Sequence, residues 1–85
     1  MDLIVYCVYV LKSIKFPERL YVGYTTTDLN QRLSMHNEGK AIYTAKYKPW
    51  GLVWHAVFVE EAKAIAFEKF LKTGSGKILL SKHML

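Results

Sequence analysis

Two tyrosines, an arginine, a histidine and a glutamate are spaced along this chain so that they could assemble one reactive site: Tyr9, Tyr21, Arg32, His36 and Glu68. Hydrolysing a phosphodiester requires a base to activate water, cationic help for the phosphate, and a group that stabilises the departing oxygen. Phenol, imidazole, guanidinium and carboxylate together offer one of each. Tyr9 closes the apolar run Cys7-Val8-Tyr9, and Tyr21 opens Tyr21-Val22-Gly23. Arg32 follows eleven residues after Tyr21, His36 one helical turn later, and Glu68 lies in a second helical pattern. Each residue also has an ordinary reading. Strand tyrosines form cross-strand pairs, Arg32 and His36 would make a solvated helix face, and Glu68 stands four before Lys72 in an intrahelical ion pair. Gly23 reads as a bulge or a point of close approach by substrate. No HxxxH, CxxC, P-loop or Ser/His/Asp pattern supports a rival chemistry.

The elements that must position these residues follow from periodicity. Leu3 to Leu11, rich in Val, Ile and Tyr, predicts a strand buried on both faces. Pro17 breaks the polar stretch that follows, and Leu20 to Thr25 predicts a second strand, which makes a hairpin that brings Tyr9 toward Tyr21. Thr27 or Asp28 caps a helix over Asp28 to Glu38, stopped by Gly39, with Arg32 and His36 at the border of the stripe set by Leu29 and Leu33. Lys40 to Pro49 reads as a basic loop bearing tyrosines. Trp50 to Val59 is a third strand, with Leu52, Trp54, Ala56 and Phe58 on one face and Val53, His55, Val57 and Val59 on the other. Glu60 to Thr73 is helical, with Ile65, Phe67, Phe70 and Leu71 inward. Gly74-Ser75-Gly76 ends that helix, and Ile78 to Leu80 adds one more turn. The order β-β-α-β-α predicts an α+β fold, a three-stranded sheet flanked by helices.

At 85 residues the chain is expected to be one domain spanning 1–85, with an ample apolar fraction of 52%. Its formal net charge of +5 favours a polyanionic partner. Cys7 has no second cysteine, which excludes a disulfide framework and suits a reducing cytoplasm, where the protein is expected to reside. The N-terminus has no basic segment before its apolar stretch, so a signal peptide is not expected, and the stretch is too short to span a bilayer. The Lys40 to Lys48 segment combines ammonium groups with rings that could stack on bases, and Lys46 and Tyr43 are its candidates for nucleic-acid contact.

Through Tyr9, Tyr21-Val22-Gly23, Arg32, His36 and Glu68, over nearly its whole length, the chain resembles the GIY-YIG nuclease family. It is most similar to the small stand-alone members, which carry endings like Pro49-Trp50 and Lys72-Thr73-Gly74-Ser75-Gly76. The resemblance implies a metal-dependent endonuclease acting on DNA, with branched or damaged forms as candidate substrates and a place in DNA repair. In that frame Tyr9 takes a proton from the attacking water, assisted by Tyr21 and His36. Arg32 binds the scissile phosphate, and Glu68 holds one divalent ion, Mg²⁺ or Mn²⁺. A tyrosine base is costly: with a pKa near 10, an ionised phenol at neutral pH costs about 4 kcal/mol before its neighbours help.

Three features depart from the family. The first triplet reads Cys-Val-Tyr, the Tyr21 to Arg32 interval is one residue longer than usual, and no asparagine follows Glu68. No appended module is expected to confer sequence specificity. Two other readings compete: a nucleic-acid-binding module with weak or no turnover, and an interaction domain that uses Trp50, Trp54 and Ile78 to Leu80 to contact another protein or a second copy in a weak homodimer.

Overall fold

The computed structural model describes residues 4–85, so the expected strand start at Leu3 lies outside the described residues. Three antiparallel strands form one sheet in the order β2-β1-β3: β1 Tyr6–Ser13, β2 Leu20–Thr25 and β3 Trp50–Phe58. Helices α1 Leu29–Asn37 and α2 Ile42–Lys46 lie between β2 and β3. Helices α3 Glu61–Leu71 and α4 Gly74–Leu79 follow β3, and a π-helical turn, Leu80–Met84, closes the chain.

β1 is continuously apolar because it is the central strand and both its faces are covered. Val8 and Val10 enter a core with Val22, Ala64, Leu71 and Leu80, on the α3 and α4 side. Tyr9 and Leu11 face the opposite way, packing with Trp50, Tyr21, Leu29, Leu33 and Tyr47. The strand thus sends Val8 and Val10 to one layer and Tyr9 with Leu11 to the other.

The described structure corrects several sequence expectations. The β1–β3 register shifts between Val10 and Leu11, with Val10 opposite Trp54 and Leu11 opposite Leu52. Val53 is the extra residue of this bulge, which moves Leu52 off the Trp54 face and leaves it exposed. Lys40 to Pro49 is not all loop, since Ile42–Lys46 forms α2. Nothing in its local composition demands a helix. The buried Trp50 indole N–H donates to the Thr44 carbonyl at 2.7 Å and holds the segment from outside. Gly74 to Gly76 does not terminate α3, which ends at Leu71. It forms the first turn of α4, with Thr73 as cap accepting from the Gly76 N–H at 3.1 Å. Gly76 is required there because a Cβ would lie 2.5 Å from Leu71 Cα and closer still to the Phe70 carbonyl oxygen. Phe70, expected inward, is exposed.

Trp50 is 2% exposed and Trp54 packs against Phe67, so neither tryptophan supplies the contact surface expected of an interaction domain. No helix among the described residues is long and apolar enough to cross a membrane.

Candidate active site

Tyr9 projects from the middle of the central strand, directly opposite Gly23 of β2. A Cβ at position 23 would lie 2.7 Å from Tyr9 Cε2 and closer still to Cζ and Oη. Gly23 therefore exists to admit the tyrosine ring. The bulge expected there is absent: the strand is regular, and Gly39 is the described glycine with positive φ. Tyr21, two residues earlier on the same face, puts its ring 6.3 Å from that of Tyr9.

Helix α1 supplies the polar partners. Asp28 caps it by accepting from the Asn30 N–H, and Thr25 and Thr27 join hydroxyls at 2.7 Å in the turn before it. Gly39, at φ 79°, ends the run just past the Glu38 cap. Leu29, Arg32, Leu33 and His36 recur at helical spacing. Leu29 and Leu33 pack on the tyrosine layer, and His36 is wholly buried, not at the border of the stripe as expected. Asn37 anchors α1 to β3: its amide donates to the Trp50 carbonyl at 3.1 Å and its oxygen accepts from the Trp50 N–H at 2.6 Å.

These supports set up one hydrogen-bonded chain. Arg32 Nε can only donate, and it does so to Tyr9 Oη at 3.2 Å. The phenolic proton is then free to go to His36 Nε2, 2.9 Å away. On the far side of the ring, Nδ1 lies 2.8 Å from Thr44 Oγ1, whose own proton is directed to the Ala41 carbonyl at 3.4 Å. Nδ1 must therefore carry the imidazole proton, which leaves Nε2 bare as an acceptor. Thr44, wholly buried on α2, selects this tautomer. Sequence reasoning missed it, because a threonine in a basic segment announces nothing until α2 places it against His36.

Burial pushes the Tyr9 phenol above its ordinary range, and the Arg32 hydrogen bond and charge partly oppose that rise. Burial also pushes the His36 imidazolium down, and the positive charge of Arg32 adds to the effect. Both groups are thus held neutral near pH 7. Glu68 lies close enough for its charge to bear on both Tyr9 and Tyr24. It is one-fifth exposed and pairs with Lys72 at 3.6 Å, the intrahelical pair that its spacing foretold. No carboxylate lies within ion-pairing distance of Arg32 among the described residues, so its guanidinium remains available to an anion.

The structure brings Tyr9, Tyr21, Arg32 and His36 into one cluster with Glu68 nearby. Tyr43 joins its edge, with its ring 6.2 Å from Tyr21 and 5.5 Å from Tyr47. Lys46 is exposed at the end of α2. Among the described residues no three His, Cys, Asp or Glu side chains gather to hold a metal. Glu68 alone suits an ion that keeps most of its waters and completes its shell with substrate oxygens, as Mg²⁺ does.

Residues 5–82 match the GIY-YIG catalytic domain. A UPF0213 protein of Streptococcus pyogenes serotype M3 is 38% identical over 65 residues, which cover 75% of this chain and 67% of that protein. A UPF0213 protein of Bacillus pumilus is 41% identical over 70 residues, 81% of this chain and 68% of that protein. The solution NMR structure of a UPF0213 protein from Bacillus halodurans shares the fold with a TM-score of 0.56 at 31% identity, covering 94% of this chain and 86% of that one.

Proposed function

The chain belongs to the GIY-YIG family, and from that membership we propose that it is a divalent-metal-dependent endonuclease that cleaves DNA at the Tyr9 centre. The observation that carries this reading is the position of Tyr9 Oη between the donor Arg32 Nε and the acceptor His36 Nε2. A phenolate base is disfavoured in this buried setting, since burial raises the phenol pKa further above 10. The geometry offers a route that avoids it. As water attacks phosphorus, one of its protons passes to Tyr9 Oη while the phenolic proton passes to His36 Nε2. One water O–H bond and the original phenolic O–H bond break, a new phenolic O–H bond and an N–H bond form, and Tyr9 ends as it began. Thr44 keeps Nε2 bare for that transfer.

The imidazolium formed this way is costly beside Arg32 alone. Negative charge gathering on the phosphate against both groups offsets that cost in the transition state. Arg32, with no carboxylate partner among the described residues, binds and orients the scissile phosphate through the part of its planar fork not engaged with Tyr9. Glu68 would hold the ion, Mg²⁺ or Mn²⁺, which when bound supplies positive charge at the leaving oxygen. Tyr21 packs against the rings of Tyr9 and His36 and fixes their positions.

A second reading, a binding module with little turnover, is favoured by the ion pair of Glu68 with Lys72, with which a metal must compete. The test is cleavage of labelled duplex and branched DNA by wild type, Tyr9→Phe and Glu68→Gln, with and without Mg²⁺. The nuclease reading expects magnesium-dependent cutting that both variants lose while they retain binding. Salt-sensitive binding without cutting by wild type supports the second reading.

A further inference from the structure

A cleft of about 570 Å³ runs along the free edge of β2, beside the reactive cluster. Leu71 and Leu80, both fully buried, form its apolar floor, and Arg19, Lys72 and Lys77 bring three cations to its walls, with Glu18 as the one acid. Two residues join it to the reactive centre. Tyr21 lines the cleft and also lies 4.9 Å, ring to ring, from His36. Lys72 lines it and pairs with Glu68. At the mouth, the half-exposed ring of Tyr43 lies next to Tyr47, which carries the Arg19 guanidinium on its face at 4.8 Å.

Resting on the nucleic-acid reading above, we infer that this cleft receives unpaired nucleotides of the substrate, so that the protein selects DNA with a single-stranded tail or flap next to the cleavage point. Size argues for it. The cleft falls within the roughly 300–1,000 Å³ of small-ligand sites, large enough for a nucleotide or two, whereas a duplex whose major groove alone is about 12 Å wide cannot descend into it. Chemistry argues the same way. Ammonium and guanidinium groups above an apolar floor suit phosphates outside and base faces inside, and an exposed tyrosine at the entrance offers the stacking surface that unpaired bases use. Paired bases are stacked on each other and have no free face to present.

The test measures fluorescence anisotropy in EDTA, where no cutting occurs, with a labelled blunt duplex and the same duplex carrying a short unpaired tail. Wild type should bind the tailed DNA more tightly. Tyr43→Ala should lose that preference, weakening tailed binding by about five- to 150-fold, the range of one base–aromatic stack, and weakening blunt binding far less. Tyr43→Phe should retain the preference. Lys77→Ala should reduce the salt slope of tailed binding by about 0.7, a second readout should Tyr43→Ala fold poorly. Equal affinity for the two DNAs, or equal losses on both in Tyr43→Ala, overturns the inference. Cleavage assays on the same DNAs separate the two proposals. Magnesium-dependent cutting without tail preference refutes only the cleft, tail preference without cutting refutes only the nuclease, and neither refutes both.

Discussion

Replacing Gly23 with alanine tests the architecture of the centre with a single methyl group. The backbone permits it, because Gly23 is a regular strand residue without positive φ. Taken alone, the change should therefore stabilise the fold by about 0.4–1 kcal/mol, through loss of unfolded-state freedom. The methyl, however, would fall 2.7 Å from Tyr9 Cε2 and closer to Cζ and Oη, where ordinary contact begins at 3.4 Å. The ring must retreat by about 1 Å, since β1 is central and clamped on both sides. That takes at least one of the 2.9 Å and 3.2 Å bonds to His36 and Arg32 out of range. Overpacking costs about 1–3 kcal/mol, and a buried polar group left unpaired costs about 1–3 kcal/mol more. A net loss of about 1–6 kcal/mol follows, or a melting temperature lower by roughly 4 °C or more for a domain of this size. Gly51→Ala, with no atom within 4 Å of its Cβ, is the control and should be neutral or slightly stabilising. Calorimetry reads the stability, and NMR reads whether the Tyr9 ring has moved. A displacement near 1 Å should also cut catalysis by about 10²-fold. If Gly23→Ala melts with Gly51→Ala and leaves the Tyr9 resonances in place, the ring does not rest on Gly23 and the derivation of the site is wrong.

Thr44→Val should leave the buried Nδ1–H without an acceptor, at a cost of about 1–3 kcal/mol, and allow His36 to redistribute its tautomers, visible in imidazole ¹⁵N shifts. Thr44→Ser should restore both, and unchanged shifts in the valine variant would refute the tautomer assignment. Stability measured against pH should fall as pH drops below about 6.5, because unfolded His36 then takes up a proton that the folded state, with its lowered pKa, resists. The same profile should fall above about pH 10. There unfolded tyrosines ionise while folded Tyr9, raised by burial, and Tyr24, pushed up to about 12 by its hydrogen bond to Glu61, retain their protons. His36→Phe should flatten the acid limb, and an acid limb that survives unaltered would exclude His36 as its source. Gly76→Ala should disrupt the α3–α4 junction and lower the melting temperature sharply while Gly74→Ala, with open space around its Cβ, leaves it nearly unchanged; equal melting of the two would remove the stated reason for Gly76.

Local pattern determined the parts of this protein that depend on short stretches of chain. The continuous apolar run of β1 requires cover on both faces, the Asp28 cap and Gly39 bound α1, and helical spacing puts Arg32 and His36 on one stripe. The residues of the candidate site were legible through the resemblance to the GIY-YIG family, and the Glu68–Lys72 pair through spacing alone, since it needs only four residues of helix. Tertiary structure decided what depends on two distant segments meeting. The bulge at Val53 changes the face of Leu52 because the register belongs to the β1–β3 pair and not to β3 alone. Helix α2 exists because Trp50 reaches back to the Thr44 carbonyl, an interaction no local propensity encodes. The depth of His36, the tautomer set by Thr44 and the space for Tyr9 above Gly23 are all contacts across the fold. Five candidate groups could be named from the family resemblance, but the direction of each proton depends on distances of about 3 Å, which arise only when the sheet and both helical layers have closed around them.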